Sequence, residues 1–318
     1  MSLGILKAAK VAAGILVGTS LLTLVGPVVG ELVATLPPAF PGRGANSLTE
    51  LGIPYKDVAF STADGLSLRG WFIPAELPDA PAILYAPAAA HDQRSGLSLV
   101  PAFHKAGYHV LLFSYRGHAL SEGNRGGSTY GDAESKDVDA AVHFLHAIKG
   151  VRRVGVIGHS VGAVAAILST AHNPRIGAVV AVAPFNCVAE VWHTSRPALV
   201  PPFVLDLTLG LVEKRKGFSS DDICPLKVVR RIAPRPLLVI HGRDDKRITV
   251  EQVHRLFAAA EEPKALWLVE GASHSSIRDP ILDELALDVI AFFDAALLGQ
   301  EEQDPGLGRS LVSEVAPP

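Results

Sequence analysis

One pentapeptide in the chain, Gly158-His159-Ser160-Val161-Gly162, has the Gly-x-Ser-x-Gly spacing that can present a serine as a nucleophile. Spacing alone proves little: with 29 glycines in 318 residues it would arise by chance in roughly one such chain in six. The setting carries more. RVGVIG, a β-rich run from Arg153, leads into the pentapeptide, and VGAVAAILST, a helical stretch from Val161, follows it. Glycines on both sides of a strand-to-helix turn let the backbone bend sharply and leave Ser160 Oγ exposed at a helix N-terminus. A glycine-rich turn with Ser160 as an ordinary helix N-cap explains the same five residues equally well. What separates the two is a partner, because a serine hydroxyl becomes nucleophilic only when a base takes its proton and a carboxylate orients that base. Both groups occur downstream at strand ends. PLLVIHG runs into His241-Gly242-Arg243-Asp244-Asp245, and ALWLVEG into Gly271-Ala272-Ser273-His274. That position lifts His274 above the other eleven histidines. His143 and His146 share one helix face and are read as structural, and no cofactor or metal is implied.

Residues so far apart must be brought to one edge of a sheet. Short β-rich runs recur at DVAFS from Asp57, at Leu66–Ile73, at AILYA from Ala82, HVLLFSY from His109, RVGVIG from Arg153, AVVAVA from Ala178, PLLVIHG from Pro236 and ALWLVEG from Ala265. Most are apolar throughout, as strands are when both faces are covered. Helical stretches at Asp132–Ile148, Val161–His172, Val250–Ala260 and Pro280–Leu298 alternate with the later strands. This order predicts an α/β fold with a mainly parallel sheet, helices on both faces and an antiparallel edge from the first two strands. Acid, base and serine then all emerge at the carboxyl edge. No strand fits Phe185–Arg231, which reads as a cap inserted over that edge; Phe203 and Leu207 in its apolar stretch are expected to line a pocket above Ser160.

Composition narrows the function class. The chain is 48% hydrophobic and 19% charged, which excludes disorder for the bulk, and its net charge of -3 gives no attraction for nucleic acid. Cys187 and Cys224 allow at most one disulfide and do not fit a zinc site. Val11–Gly30 holds 20 positions without a charge. As a helix it would span roughly 30 Å, the thickness of the hydrocarbon core, and it exceeds the apolar stretch of about 7–15 residues usual in cleaved signals. Lys7 and Lys10 before the run favour a cytoplasmic N-terminus and a catalytic domain on the other side of the membrane. The expected layout is an uncleaved anchor over residues 1–36, a linker over 37–56, a catalytic domain over 57–298 with its cap at about 185–231, and a flexible tail over 299–318.

With GHSVG, SYRGHALSEG from Ser114, GDAESKDVDAAVHFL from Gly131, HGRDD and GASH in view, the chain resembles the α/β-hydrolase family, in particular its serine aminopeptidase-like and acylglycerol-lipase-like branch with membrane-tethered members. The resemblance covers about Asp57–Leu298. It implies an α/β-hydrolase fold and assigns the acid to Asp245, with Asp244 next in rank, and it matches Arg116 to a structural loop position. Two departures stand out: Ser114 where the family commonly has Asp, and Pro87-Ala88 where it has His-Gly. The second touches the oxyanion hole, which takes one backbone N–H from the residue after the nucleophile, Val161, and one from the loop after the third strand. Pro87 has no N–H to give, and Ala89 matches the family position, with Ala88 next. The expected function is hydrolysis of a lipophilic acyl ester or thioester by Ser160, His274 and Asp245. The alternatives are a peptidase of aminopeptidase type and a non-catalytic membrane-tethered binding protein on the same scaffold.

Overall fold

The apolar runs become strands because both of their faces find a helical layer. The structure, a computed structural model, describes residues 48–123, 127–195, 201–277, 285–299 and 312–313. In chain order its elements are β1 (Lys56–Ser61), β2 (Ser67–Ile73), β3 (Ala82–Ala86), α1 (Val100–Lys105), β4 (His109–Ser114), α2 (Asp132–Ala147), β5 (Val154–His159), α3 (Val161–His172) and β6 (Ile176–Val182). After these come α4 (Val188–Thr194), α5 (Pro202–Lys216), α6 (Pro225–Val228), β7 (Leu237–Gly242), α7 (Val250–Ala259), β8 (Lys264–Val269), α8 (Ala286–Phe293) and β9 (Val312–Ser313). They form one sheet in the order β1-β2-β4-β3-β5-β6-β7-β8-β9. From β4 through β8 neighbouring strands are parallel, while β1–β2 and β2–β4 are antiparallel.

Alternate residues of each central strand feed two separate cores. Leu84, Phe113, Val156 and Val239 face the layer of α2, α3 and α7, where Val142, Ile167 and Leu256 meet them. Ile83, Leu112, Ile157 and Ile240 face α1 and α8, represented by Phe103 and Phe293. A strand with no wet face shows no polar alternation, which is why these runs read as continuously apolar.

Four features depart from the sequence expectation. Between β3 and β4 the chain forms a 3-10 turn over Gln93–Leu99 and then α1, a helix too short for its periodicity to register. The linker is not wholly a linker, since Leu48 is fully buried in the core beside Ile73 and Ile83. The tail is not wholly loose either: Val312 and Ser313 pair antiparallel with Leu268 and Trp267 of β8. An edge strand offers unpaired N–H and C=O groups to any extended segment, and the tail supplies one. Of the helix expected over Pro280–Leu298, residues 280–284 lie outside the described residues; Ala286–Phe293 is helical, and the last turn, Asp294–Leu298, widens before Gly299 ends it in the left-handed conformation at φ 66°. Residues 11–30, the expected anchor, lie outside the described residues. No described helix is long and apolar enough to cross a membrane.

Candidate active site

Ser160 sits between β5 and α3 with φ 54° and ψ -116°, a strained conformation for a residue with a side chain. Its backbone N–H is held by Val182 O at 2.8 Å, and its carbonyl accepts the first helical bond from Val164 N at 3.1 Å. The side chain makes no capping bond to the helix, so the N-cap alternative fails at the hydroxyl. Both flanking glycines are required by close approach. A Cβ on Gly158 would collide with the Gly162 carbonyl, and one on Gly162 with the carbonyls of Ala86 and Pro87.

Ser160 Oγ lies 3.2 Å from His274 Nε2, and His274 Nδ1 lies 2.7 Å from Asp245 Oδ2. Sequence reasoning thus named three residues that the fold brings into one chain of contacts. The order Ser–His–Asp gives a hydroxyl a proton acceptor and gives the acceptor a buried counter-charge. Asp245 is buried, whereas Asp244 is exposed. Burial alone would push the Asp245 carboxyl up, but the His274 contact and two backbone donors, Arg247 N at 2.8 Å and Ile248 N at 2.9 Å on Oδ1, together hold it below the usual carboxylate range.

The acid and base loops are stitched together by backbone. Asp244 N donates to Ala272 O at 3.0 Å and Arg243 N to Val269 O at 3.0 Å. Gly242 permits the first contact, because a Cβ there would strike the Ala272 carbonyl. One supporting residue went unassigned in the sequence although it stands in the same HGRDD motif. His241 is fully buried at the end of β7, and its Nε2 donates to Ile248 O at 2.9 Å, which closes the loop that carries Asp245. Burial lowers the His241 pKa, so the ring stays neutral beside the Asp245 carboxylate, 3.8 Å away.

Val161 opens α3, so its N–H points out of the positive end of that helix. The close approach of Gly162 to Ala86 and Pro87 runs the loop after β3 alongside that end. In this loop Ala88-Ala89-Ala90-His91 is a turn closed by His91 N to Ala88 O at 3.2 Å, with Ala90 at φ 58°. His91 Nδ1 bonds back to Ala89 O at 2.8 Å. The position of Ser114 is explained by Gln93, which bonds the serine hydroxyl through both its backbone N–H and its side-chain oxygen. Arg116 acts as scaffold: it chelates buried Asp137 through Nε at 2.9 Å and Nη2 at 2.7 Å and reaches Asp64 through Nη1 at 2.8 Å. His143 and His146 both bond Arg175, at 2.8 and 3.0 Å, as structural residues do. Among the described residues no cluster of three or more His, Cys, Asp or Glu could hold a metal ion.

The cap corrects one expectation. Phe203 and Leu207 do not line a closed pocket above Ser160: they lie on the solvent face of α5, 69% and 50% exposed. Val204, Leu205, Thr208, Leu209 and Val212 form the buried face of that helix instead. Helix periodicity in an almost wholly apolar segment cannot tell which stripe faces inward. Cys187 and Cys224 are joined by a disulfide at the two feet of the cap, beside the bond from Val188 N to Ile223 O at 3.0 Å.

Known proteins share the fold of this chain. The sequence profile of the serine aminopeptidase S33 family matches residues 88–215, a span that includes Ser160 and ends before Asp245 and His274. The protein Rv2307c of Mycobacterium tuberculosis is 32% identical over 274 residues, covering 83% of this chain and 87% of its own. The esterase Pf2001 of Pyrococcus furiosus superposes with a TM-score of 0.66 at 25% identity, covering 82% of this chain and 99% of its own. The chain belongs to the α/β-hydrolase family. A further relative, the polyketide transferase ATR5 of Stachybotrys chlorohalonatus, is 26% identical over 266 residues, covering 69% of this chain and 89% of its own. This hydrolase therefore has an esterase among its structural neighbours and a transferase among its sequence relatives.

Proposed function

We propose that this α/β-hydrolase cleaves a lipophilic carboxylic ester or thioester through a covalent acyl-enzyme on Ser160. The observation that carries the proposal is the unbroken contact chain from Ser160 Oγ through His274 to Asp245. In the first half-reaction Ser160 Oγ attacks the acyl carbon while its proton passes to His274 Nε2. The proton then goes to the departing alkoxide or thiolate as that bond breaks. In the second half, His274 takes a proton from water as the water oxygen attacks the acyl carbon, and returns that proton to Ser160 Oγ as the acyl–Oγ bond breaks, which releases the acid and restores both side chains. Asp245 keeps the imidazole proton on Nδ1 and balances the charge of the imidazolium. The backbone N–H groups of Val161 and Ala89 would stabilise the oxyanion; losing one such donor typically costs about 10²–10³ in rate.

The layout of an anchor over residues 1–36, a linker and a hydrolase domain belongs to the same proposal. Its support is the uncharged 20-residue run and the lysines before it. The catalytic domain is assigned to the non-cytoplasmic side, and the Cys187–Cys224 disulfide favours such an oxidising compartment. Peptidase action is the second choice, favoured by the description of the matching family. An aminopeptidase needs a carboxylate for the substrate ammonium, and three cap acids are otherwise engaged: Glu190 with Arg255, Asp206 with His193 and Glu213 with Ser220 N. Turnover of p-nitrophenyl esters and aminoacyl p-nitroanilides by the full chain separates the two. Ser160→Ala should lower kcat by about 10⁴–10⁶ and abolish labelling by an active-site phosphonate probe, with the melting temperature unchanged. More than about a tenth of the activity surviving would reject the mechanism, since that far exceeds the residual expected without a nucleophile.

A further inference from the structure

Of the seven large hydrophobic side chains exposed among the described residues, Leu51, Leu77, Leu120 and Leu287 are scattered over different elements, whereas Phe203, Leu207 and Leu211 all fall on α5. Single exposed leucines are ordinary; three on one helix at spacings of four are a stripe. It runs about 12 Å along the helix, given a rise of about 1.5 Å per residue. The stripe remains open at Gly210, where nothing lies within 4 Å of an added Cβ, and exposed Pro201 and Pro202 extend its N-terminal end. At the other end Lys214 and Arg215 are exposed, while Lys216 is turned aside to Ser128 O. One acid, Asp206, shares the exposed face and is bonded to His193 Nε2 at 2.9 Å. The opposite face of α5 is already buried by Val204, Leu205, Leu209 and Val212, so the stripe is not needed to hold the cap on the domain.

We propose that this face of α5 is a bilayer-docking surface, with Phe203, Leu207 and Leu211 entering the interfacial region of a phospholipid membrane and Lys214 and Arg215 at its anionic headgroups. The inference rests on reading residues 11–30 as a membrane segment. Between that run and Leu48 lie residues 31–47, which when extended reach up to roughly 60 Å, more than the width of a domain of this size. The domain can therefore turn any face to the bilayer, and α5 is the face whose chemistry suits it. An apolar stripe ending in basic residues matches an interfacial helix. A second copy fits less well, because a stable protein interface needs about 800 Å² on each partner, far more than one phenylalanine and two leucines provide. Docking would hold the cap, which rises from the carboxyl edge of the sheet, against the layer from which a lipophilic ester comes.

The test uses the full chain reconstituted into vesicles of phosphatidylcholine and phosphatidylglycerol. Single cysteines replace residues in Phe203→Cys, Leu207→Cys, Leu211→Cys, Leu287→Cys and Ser20→Cys, each labelled with an environment-sensitive fluorophore while the native disulfide stays oxidised. Lipids carrying a spin label on an upper acyl carbon should quench the three α5 labels, and those labelled near the chain end should quench them less, because an interfacial face sits only about 5–10 Å deep. The Leu287→Cys label should keep its fluorescence. Unquenched α5 labels beside a quenched Ser20→Cys label overturn the docking surface and leave the anchor standing. Quenched α5 labels with an unquenched Ser20→Cys label support the surface and reject the anchor. If neither is quenched, both fail. A blue shift at α5 that grows with protein density and is insensitive to spin label would assign the face to a second copy and overturn the proposal.

Discussion

Asp245→Asn tests the proposed acid most sharply, because the surroundings of the carboxylate dictate how the new amide must sit. Oδ1 receives two backbone N–H groups, from Arg247 and Ile248, and Oδ2 receives His274 Nδ1–H. An asparagine that keeps its oxygen toward the two backbone donors turns its NH₂ to His274. Nδ1 must then accept, the imidazole proton moves to Nε2, and Nε2 can no longer take a proton from Ser160. The flipped amide would instead set NH₂ against two N–H groups, at a cost of about 1–3 kcal/mol for each donor left unpaired. The unproductive tautomer therefore wins. In a serine protease the same exchange costs about 10⁴ in kcat, or about 5 kcal/mol of transition-state stabilisation. Among the described residues, exposed Asp244 is held through its backbone N–H to Ala272 O, which the substitution keeps, so Asp244→Asn should stay within about tenfold of the native enzyme, as surface changes usually do. Both are measured as kcat/KM on a p-nitrophenyl ester, with melting temperatures beside them. Equal losses in the two variants, or a loss below tenfold in Asp245→Asn, would refute the assignment of the acid.

Removal of the disulfide by Cys187→Ser with Cys224→Ser should lower the stability of the cap by up to about 4 kcal/mol, the chain-entropy value for a loop of this length; an unchanged melting temperature would show that the bridge constrains nothing. On the acid side, Asp64 is held down to about 2 by the Thr62 hydroxyl and then by Arg116. Its folded pKa lies below the unfolded value of about 3.9, so its contribution is complete above about pH 4 and is lost as pH falls toward 2. Asp64→Asn should flatten the fall of the urea midpoint across that window, and parallel curves would exclude the contribution. For the N-terminal segment, the full chain should resist carbonate extraction and retain its first residue; a mature protein starting beyond residue 20 would instead mark a cleaved signal.

The central fold was legible wherever one physical constraint dominated a segment. Strands β3 to β8 are buried on both faces, and that leaves an apolar run no helix of the same length could be confused with once glycine and charged turns bound it. Ser160, Asp245 and His274 were legible for a related reason: each follows a strand directly, and a parallel sheet places the ends of its strands on one edge. The β3–β4 connection was opaque because Gln93–Leu99 and Val100–Lys105 are each under two turns of α-helix long. The pairing of Val312 and Ser313 with β8 was opaque because the tail takes its conformation from the edge it meets.

The cap lost its orientation to a different cause, and the cause bears on function. Sequence periodicity locates the buried face of a helix by contrast with a polar one, and α5 supplies almost no contrast: both its inner stripe, Val204 to Val212, and its outer stripe, Phe203 to Leu211, are apolar. Placing Phe203 and Leu207 over Ser160 assumed that an apolar side chain in a soluble domain must face protein. The fold gives the inward role to their neighbours and leaves these two in solvent. Apolar area left exposed in this way has a standing cost in water, on the order of 25 cal/mol for each Å² that burial would otherwise gain. Among the described helices, α5 thus combines a sequence that does not orient it with a second apolar face left to cover, and both facts have the same origin if that face meets lipid.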